Sequence, residues 1–173
     1  MKRRQSSGLY RKILVANRGE IACRVIRTCK RMGILTVVVY SEEDRDSLHV
    51  SLALEAYAIQ GKTPADSYLN QKMILKAAGC HNVNAIHPGY GFLSENSEFA
   101  DTIQKMGITW IGPSSEVITI MGDKMAARKL AVEAGVPVRV MNTFNPSHLG
   151  TQILGGRRQT TREIVALACK KEN

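Results

Sequence analysis

The sequence predicts an α/β domain built on a parallel sheet flanked by helices, and three observations point there. Short apolar runs alternate with longer amphipathic stretches along most of the chain. The turns between them are brief and marked by Gly, Pro, Asn or Ser. The apolar runs, clearest in ILTVVVY at 34–40, are rich in β-branched residues and lack polar alternation, the pattern of strands buried on both faces. Strands and helices alternating across short turns make β-α units with right-handed crossovers, and therefore a parallel sheet. With 173 residues, of which 44% are hydrophobic and 23% charged, the chain can bury the core of one domain without disulfides or metals.

The elements follow in order. KILVAN (12–17) is a short apolar run that ends in polar residues, which suits a buried strand. Ile21, Ala22, Val25, Ile26, Cys29 and Met32 then recur at helical spacing, with Arg24, Arg27, Lys30 and Arg31 outside the stripe and Gly33 at the capping position. ILTVVVY (34–40) is the second strand. After SEEDRDS (41–47) a short helix is expected near 47–54, a strand at AYAI (56–59), and a helix at 71–79 capped by Asn70. NAIH (84–87) is a strand leading into HPGYGFLSEN (87–96), whose Ser94 or Asn96 starts a helix that runs to Met106 and is stopped by Gly107. ITWIG (108–112) is the last strand. Helical stretches follow from Pro113–Ser115 to Ile120 and over 123–134, the latter ending at Gly135. After Pro137 periodicity is lost, Asn-Pro and Gly-Gly breakers appear, and only REIVALACKK (162–171) is amphipathic.

Charge and cysteines narrow the function. The net charge of +9 lies at the ends: residues 1–12 hold five basic side chains and no acid, and residues 139–173 hold six and two, leaving thirteen of each sign between. The folded part therefore lacks the basic stripe with interleaved aromatics that nucleic-acid grooves use. No apolar run has membrane-spanning length. The four cysteines form no CxxC pair and no metal-ligand spacing, which fits small hydrophobes in a reducing compartment. The start, MKRRQSSGLY, fits either a solvated leader or the remnant of a mitochondrial transit peptide.

In an open parallel sheet, ligands bind at loops beyond the carboxyl ends of the strands, and HPGYGFLSEN is such a loop. Its glycines permit positive φ and close backbone approach, Pro88 makes His87 extended, and Tyr90 projects from a rigid turn. A plain strand-to-helix connection is the structural alternative. ANRGE (16–20) stands where a dinucleotide-binding domain carries GxGxxG, but only Gly19 is present. Glu42 and Glu43 stand where a ribose would be held, yet without the glycines a pyrophosphate has no seat, so NAD is discounted. Asn17, Arg18 and Glu20 are expected to staple that turn instead. MGDK (121–124) places Lys124 beside a Gly-Asp break without a Walker loop, so the lysine is either solvated or a phosphate contact. His49, His81 and His148 have no metal or triad spacing and are expected to be structural or exposed.

Taken together, ILVANRGEIACRVIRTCKRMGI, YSEEDRDSLHV, SYLN, HPGYGFLSEN and WIGPSSEVITIMGDKMAARKLAVEAGVPV resemble, in order and spacing over about residues 12–138, the N-terminal domain of biotin carboxylase. YSEEDRDSLHV looks most like the methylcrotonoyl-CoA carboxylase branch. The resemblance implies a Rossmann-like, pre-ATP-grasp fold. It also implies an ancestral reaction in which Mg-ATP activates bicarbonate as carboxyphosphate and biotin is carboxylated on N1. Tyr90 and Gly91 would face the biotin cleft, and Lys124 would match a lysine that binds ATP; no catalytic residue and no metal ligand is carried over. The helix with Arg24, Arg27, Lys30 and Arg31 resembles the family's subunit-contact region.

The expected organisation is a basic leader at 1–11, the domain at 12–138 and an unmatched flexible tail at 139–173. The expected role is one side of an ATP and biotin cleft in an acyl-CoA or related carboxylase, inactive alone and binding ATP, Mg²⁺ and biotin only weakly. Whether the chain is itself an enzyme stays open at this point. The alternative is a non-catalytic module that pairs with full-length carboxylase subunits. Carboxylase subunits and a biotin carboxyl carrier domain are the expected partners, nucleic acid and membrane are not, and the mitochondrial matrix or cytoplasm is the expected compartment.

Overall fold

The computed structural model describes residues 10–61 and 63–137. They fall into two units, one ending at Ile118 and one beginning at Thr119. The leader up to residue 9 and everything from residue 138, with His148, Cys169 and the 162–171 segment, lie outside the described residues.

The elements are β1 (Lys12–Val15), α1 (Gly19–Met32), β2 (Leu35–Tyr40), α2 (Leu48–Leu52), β3 (Glu55–Ala58), α3 (Gln71–Cys80), β4 (Ala85–His87), α4 (Ser97–Lys105), β5 (Thr109–Trp110), α5 (Ser115–Gly122) and α6 (Lys124–Glu133). A single 3₁₀ turn, Glu42–Asp44, follows β2. The five strands form one sheet in the order β3-β2-β1-β4-β5, and every pairing is parallel. This is the fold class that the strand and helix alternation predicts.

Side-chain alternation along the strands divides the core. Leu14, Val37, Val39, Ile86 and Trp110 pack with Ile74, Ala77 and Ala78 of α3 and Phe99, Ala100 and Ile103 of α4. On the other face, Ile13, Val15, Val38 and Ala85 meet Ala22, Ile26 and Cys29 of α1. Right-handed crossovers explain the division. The steps β1 to β2 and β2 to β3 run one way along the sheet and put α1 and α2 on one face; the steps to β4 and β5 run the other way and put α3 and α4 on the opposite face. Cys23 and Cys29 are buried, as small hydrophobes would be, and Cys80 is exposed.

Boundaries moved for local reasons. Asn17 leaves the strand line and turns inward, so β1 ends at Val15. Asn96, not Ser94, caps α4 by accepting from Phe99 N at 2.7 Å, because Ser94 N is held in the preceding turn by Gly91 O at 2.9 Å. β5 keeps only two residues of ITWIG, since its single partner, β4, is itself three residues long. β3 begins one residue early, although Ile59 N still bonds Tyr40 O at 2.9 Å. In the second unit, Asp123 caps α6 by accepting from Met125 N and Ala126 N at 2.8 and 3.3 Å, and no residue of that helix is buried.

Candidate functional site

The strand order reverses between β1 and β4, and at such a switch point the two outgoing loops diverge and leave a crevice. Those loops are Ala16–Arg18 after β1 and Pro88–Asn96 after β4. A fully buried side chain ties them: Asn17 Nδ2 donates to the carbonyl oxygens of Pro88 at 2.8 Å and Tyr90 at 2.9 Å, while its Oδ1 accepts from Arg18 N. Gly89, at φ +70°, passes so close that a Cβ there would lie 2.6 Å from Asn17 Nδ2. The close approach permitted by this glycine is thus toward Asn17. His87 is held neutral by burial, which lowers its pKa, and its Nδ1 accepts from Gly89 N at 3.0 Å.

The outer half of the loop faces solvent. Tyr90 is 76% exposed, and Gly91, also at φ +70°, has no atom within 4 Å of where a Cβ would stand. Both residues proposed from the sequence therefore sit side by side on an anchored turn with open space before them. Lys124 is exposed at the start of α6 in the second unit.

A second network braces the β1 loop from behind. Arg18 pairs with the buried Asp44, which also accepts from Tyr68 Oη at 2.6 Å and Ser41 Oγ at 3.3 Å. Burial alone would raise the Asp44 pKa, but the hydrogen bonds from Arg18 and Tyr68 outweigh it and hold the carboxyl below its ordinary range. Burial, aided by the Asp44 carboxylate, pushes the Tyr68 phenol up to about 12, so it remains a donor. The expected staple of Asn17, Arg18 and Glu20 is thus three separate devices: Asn17 reaches the β4 loop, Arg18 reaches Asp44, and Glu20 pairs with Arg27 along α1 at 3.2 Å. Glu42, weighed above as a ribose ligand, pairs with Arg45 at 2.8 Å. Asp44 and Tyr68 were not singled out from the sequence, since the bonds that join Asp44 to Arg18 and to Tyr68 each span more than twenty positions.

The described histidines are structural. His49 is fully buried beneath β2 and kept neutral by desolvation, its Nε2 3.4 Å from Val39 O. His81 meets Glu55 at 2.6 Å at the other end of the sheet, where Lys12 also pairs with Glu55. Among the described residues no group of three or more His, Cys, Asp or Glu could hold a metal, and no helix is long and apolar enough to cross a membrane.

Comparison with known proteins agrees with this arrangement. The sequence matches the family described as biotin carboxylase, N-terminal domain, over residues 9–118. It is 53% identical over 130 residues to biotin carboxylase 2 of Bacillus subtilis, covering 75% of this chain and 29% of that protein. It is 55% identical over 126 residues to the mitochondrial methylcrotonoyl-CoA carboxylase subunit alpha of Dictyostelium discoideum, covering 73% and 18%. Among solved structures, the biotin carboxylase domain of a thermophilic 2-oxoglutarate carboxylase bound to bicarbonate superposes with a TM-score of 0.71 at 52% identity, covering 75% and 29%. The urea carboxylase of Kluyveromyces lactis superposes at 0.73 and 45%, covering 75% and 12%. The chain spans less than a third of the length of these relatives. With the family matched over its sheet and over both loops at the switch point, the chain belongs to the biotin carboxylase N-terminal domain family.

Proposed function

We propose that this chain is the N-terminal part of an ATP-dependent biotin carboxylase, that it contributes one edge of the ATP and biotin cleft, and that the 173-residue polypeptide alone does not turn over. The observation that carries the reading is the anchored loop at the switch point, which presents Tyr90 and the unobstructed Gly91 to solvent. Gly91 lets a flat ring approach the backbone, and Tyr90 offers an apolar face with a hydroxyl at its end. Lys124 is a suitable point charge for a phosphate. In this reading no magnesium ligand is assigned to this chain, and metal-bound nucleotide is held by the rest of the enzyme. When bound, Mg-ATP would supply the phosphoryl group that activates bicarbonate; the part of this chain is to hold the biotin side and one phosphate contact.

In this reading the acyl acceptor, the biotin carboxyl carrier partner and a mitochondrial or cytoplasmic address are those of the parent carboxylase. The organisation proposed with this reading is a leader to residue 11, the domain at 12–138 and a separate segment at 139–173. The test is a graft: residues 10–137 replace the matched region of Bacillus subtilis biotin carboxylase 2. The reading expects ATP-dependent carboxylation of free biotin by the chimera. Tyr90→Ala should raise KM for biotin and Lys124→Ala should raise KM for ATP, each by about tenfold, one hydrogen bond or ion pair's worth. Wild-type constants in both variants would overturn the two assignments.

A further inference from the structure

Three of the loops that leave the carboxyl ends of the strands meet at one buried side chain. Tyr68, 3% exposed, reaches in from the connection between β3 and α3. In the loop after β2, its Oη accepts from Ser41 N at 3.2 Å and donates to Asp44 at 2.6 Å. The guanidinium of Arg18, in the loop after β1, lies 5.7 Å from its ring centroid. The same ring packs against Phe92 of the loop after β4, with centroids 5.2 Å apart and planes tilted by 33°.

Phe92 is where the β4 loop needs such a contact. Its φ of +48° is left-handed, a region that favours glycine, and among the described residues Asn82 is the one other non-glycine there. The Asn17 clamp reaches no further than Tyr90, and among the described residues Phe92 forms no backbone hydrogen bond. A bulky residue persists in a sparsely populated conformation when its surroundings over-determine it, and here the partly buried Phe92 ring is seated on Tyr68 and the core. We propose that Tyr68 is a positioning residue for the biotin edge of the cleft: by seating the Phe92 ring it fixes the backbone at Gly91 and the direction in which Tyr90 projects. The inference deepens the functional reading above and rests on it, since Tyr90 and Gly91 are the ligand side of that reading. The ring of Tyr68 meets the loop, and its hydroxyl fastens it to Ser41 and Asp44, so the two parts can be tested separately.

The test has two arms, with thermal melts confirming that each variant is folded at the assay temperature. In the 173-residue chain, amide exchange over 89–93 should quicken about tenfold in Tyr68→Leu, which loses the ring, and stay within about twofold in Tyr68→Phe, which loses only the hydroxyl. In the chimera described above, Tyr68→Leu should raise KM for biotin by about tenfold at unchanged KM for ATP, and Tyr68→Phe should keep it within about twofold of wild type. Adding Phe92→Leu to Tyr68→Leu should give no further rise, as expected when one residue acts through the other. Val38→Ala, a cavity on the opposite face of the sheet, controls for lost stability and should leave both KM values unchanged. The proposal is overturned if Tyr68→Leu leaves loop exchange or biotin KM at the wild-type level, if Tyr68→Phe is as damaging as Tyr68→Leu, if the effects of Tyr68→Leu and Phe92→Leu multiply, or if Val38→Ala raises biotin KM as much. Tyr90→Ala separates this inference from the reading beneath it: a rise in biotin KM with Tyr90→Ala but not with Tyr68→Leu removes the positioning role alone, and a rise with neither removes both. If the chimera itself is inactive, the exchange arm decides whether Tyr68 holds the loop.

Discussion

Asn17 Nδ2 lies 2.9 Å from the carbonyl oxygen of Tyr90, across seventy-three positions of sequence, and this hydrogen bond joins the two loops at the switch point of the sheet. With its companion to Pro88, it makes the loop that carries Tyr90 an extension of the β1 turn. Asn17→Ala should therefore lower unfolding free energy by about 2–4 kcal/mol, because it removes three side-chain hydrogen bonds and strands the buried carbonyl of Pro88. Urea unfolding measures the cost. Amide exchange should quicken in 88–94 more than in α3; uniform exchange across the domain would show that the clamp does not control the loop.

The two glycines of the loop should respond unequally. Both have φ of +70°, so either alanine pays a left-handed penalty of about 1–2 kcal/mol. Gly91→Ala should cost little more, since its Cβ would point into open space. Gly89→Ala should cost about 3 kcal/mol or more, because its Cβ would overlap Asn17 and break the clamp. Thermal melts of the two variants decide it, and equal losses would contradict the geometry.

Much of this fold could be read from local pattern, because its signals are local: the unbroken β-branched run of β2, the stripe of α1, Gly33 as its cap, and Asn70 and Asn96 as helix starts. The turn after β4 was also legible as a tight loop beyond the carboxyl end of a strand, because Pro fixes φ and Gly permits positive φ wherever they stand. The clamp was not. Asn17 can serve equally as a turn residue, an N-cap or a long-range donor, and only the pairing of β1 with β4 decides. Asp44 likewise reads as one acid among several in SEEDRDS until the fold buries it against Arg18 and Tyr68. The division of the core between the two faces of the sheet depends on strand order, which no single segment encodes.

Stability should fall with acid in two windows. His49 and His87 both have pKa values lowered by burial, so below the ordinary value of 6.5 the unfolded chain takes up protons that the folded chain refuses. Their contribution is complete above about pH 6.5 and declines as pH drops from there toward their folded values. Asp44, held low by Arg18 and Tyr68 against its burial, gives a second decline below its ordinary value of 3.8, continuing as pH falls through its folded value. Chemical denaturation from pH 8 to 3 should show both slopes. His49→Gln should reduce the first, and Asp44→Asn should reduce the second, to which Glu55, held low by Lys12 and His81, also contributes, while costing stability at pH 7.

The central proposal is that this chain provides one edge of a carboxylase cleft and that the 173-residue polypeptide assayed alone does not turn over. Among the described residues the proposed nucleotide contact is the exposed Lys124, an attraction worth on the order of 1 kcal/mol in water and screened by salt, so affinity should be millimolar or weaker. Phosphoryl transfer also needs metal against the β- and γ-phosphates and an in-line nucleophile. The measurement is bicarbonate-dependent phosphate release from Mg-ATP with free biotin, comparing the 173-residue chain with its Lys124→Ala variant. The account predicts background rates that are the same for both; turnover above background that Lys124→Ala abolishes would contradict it.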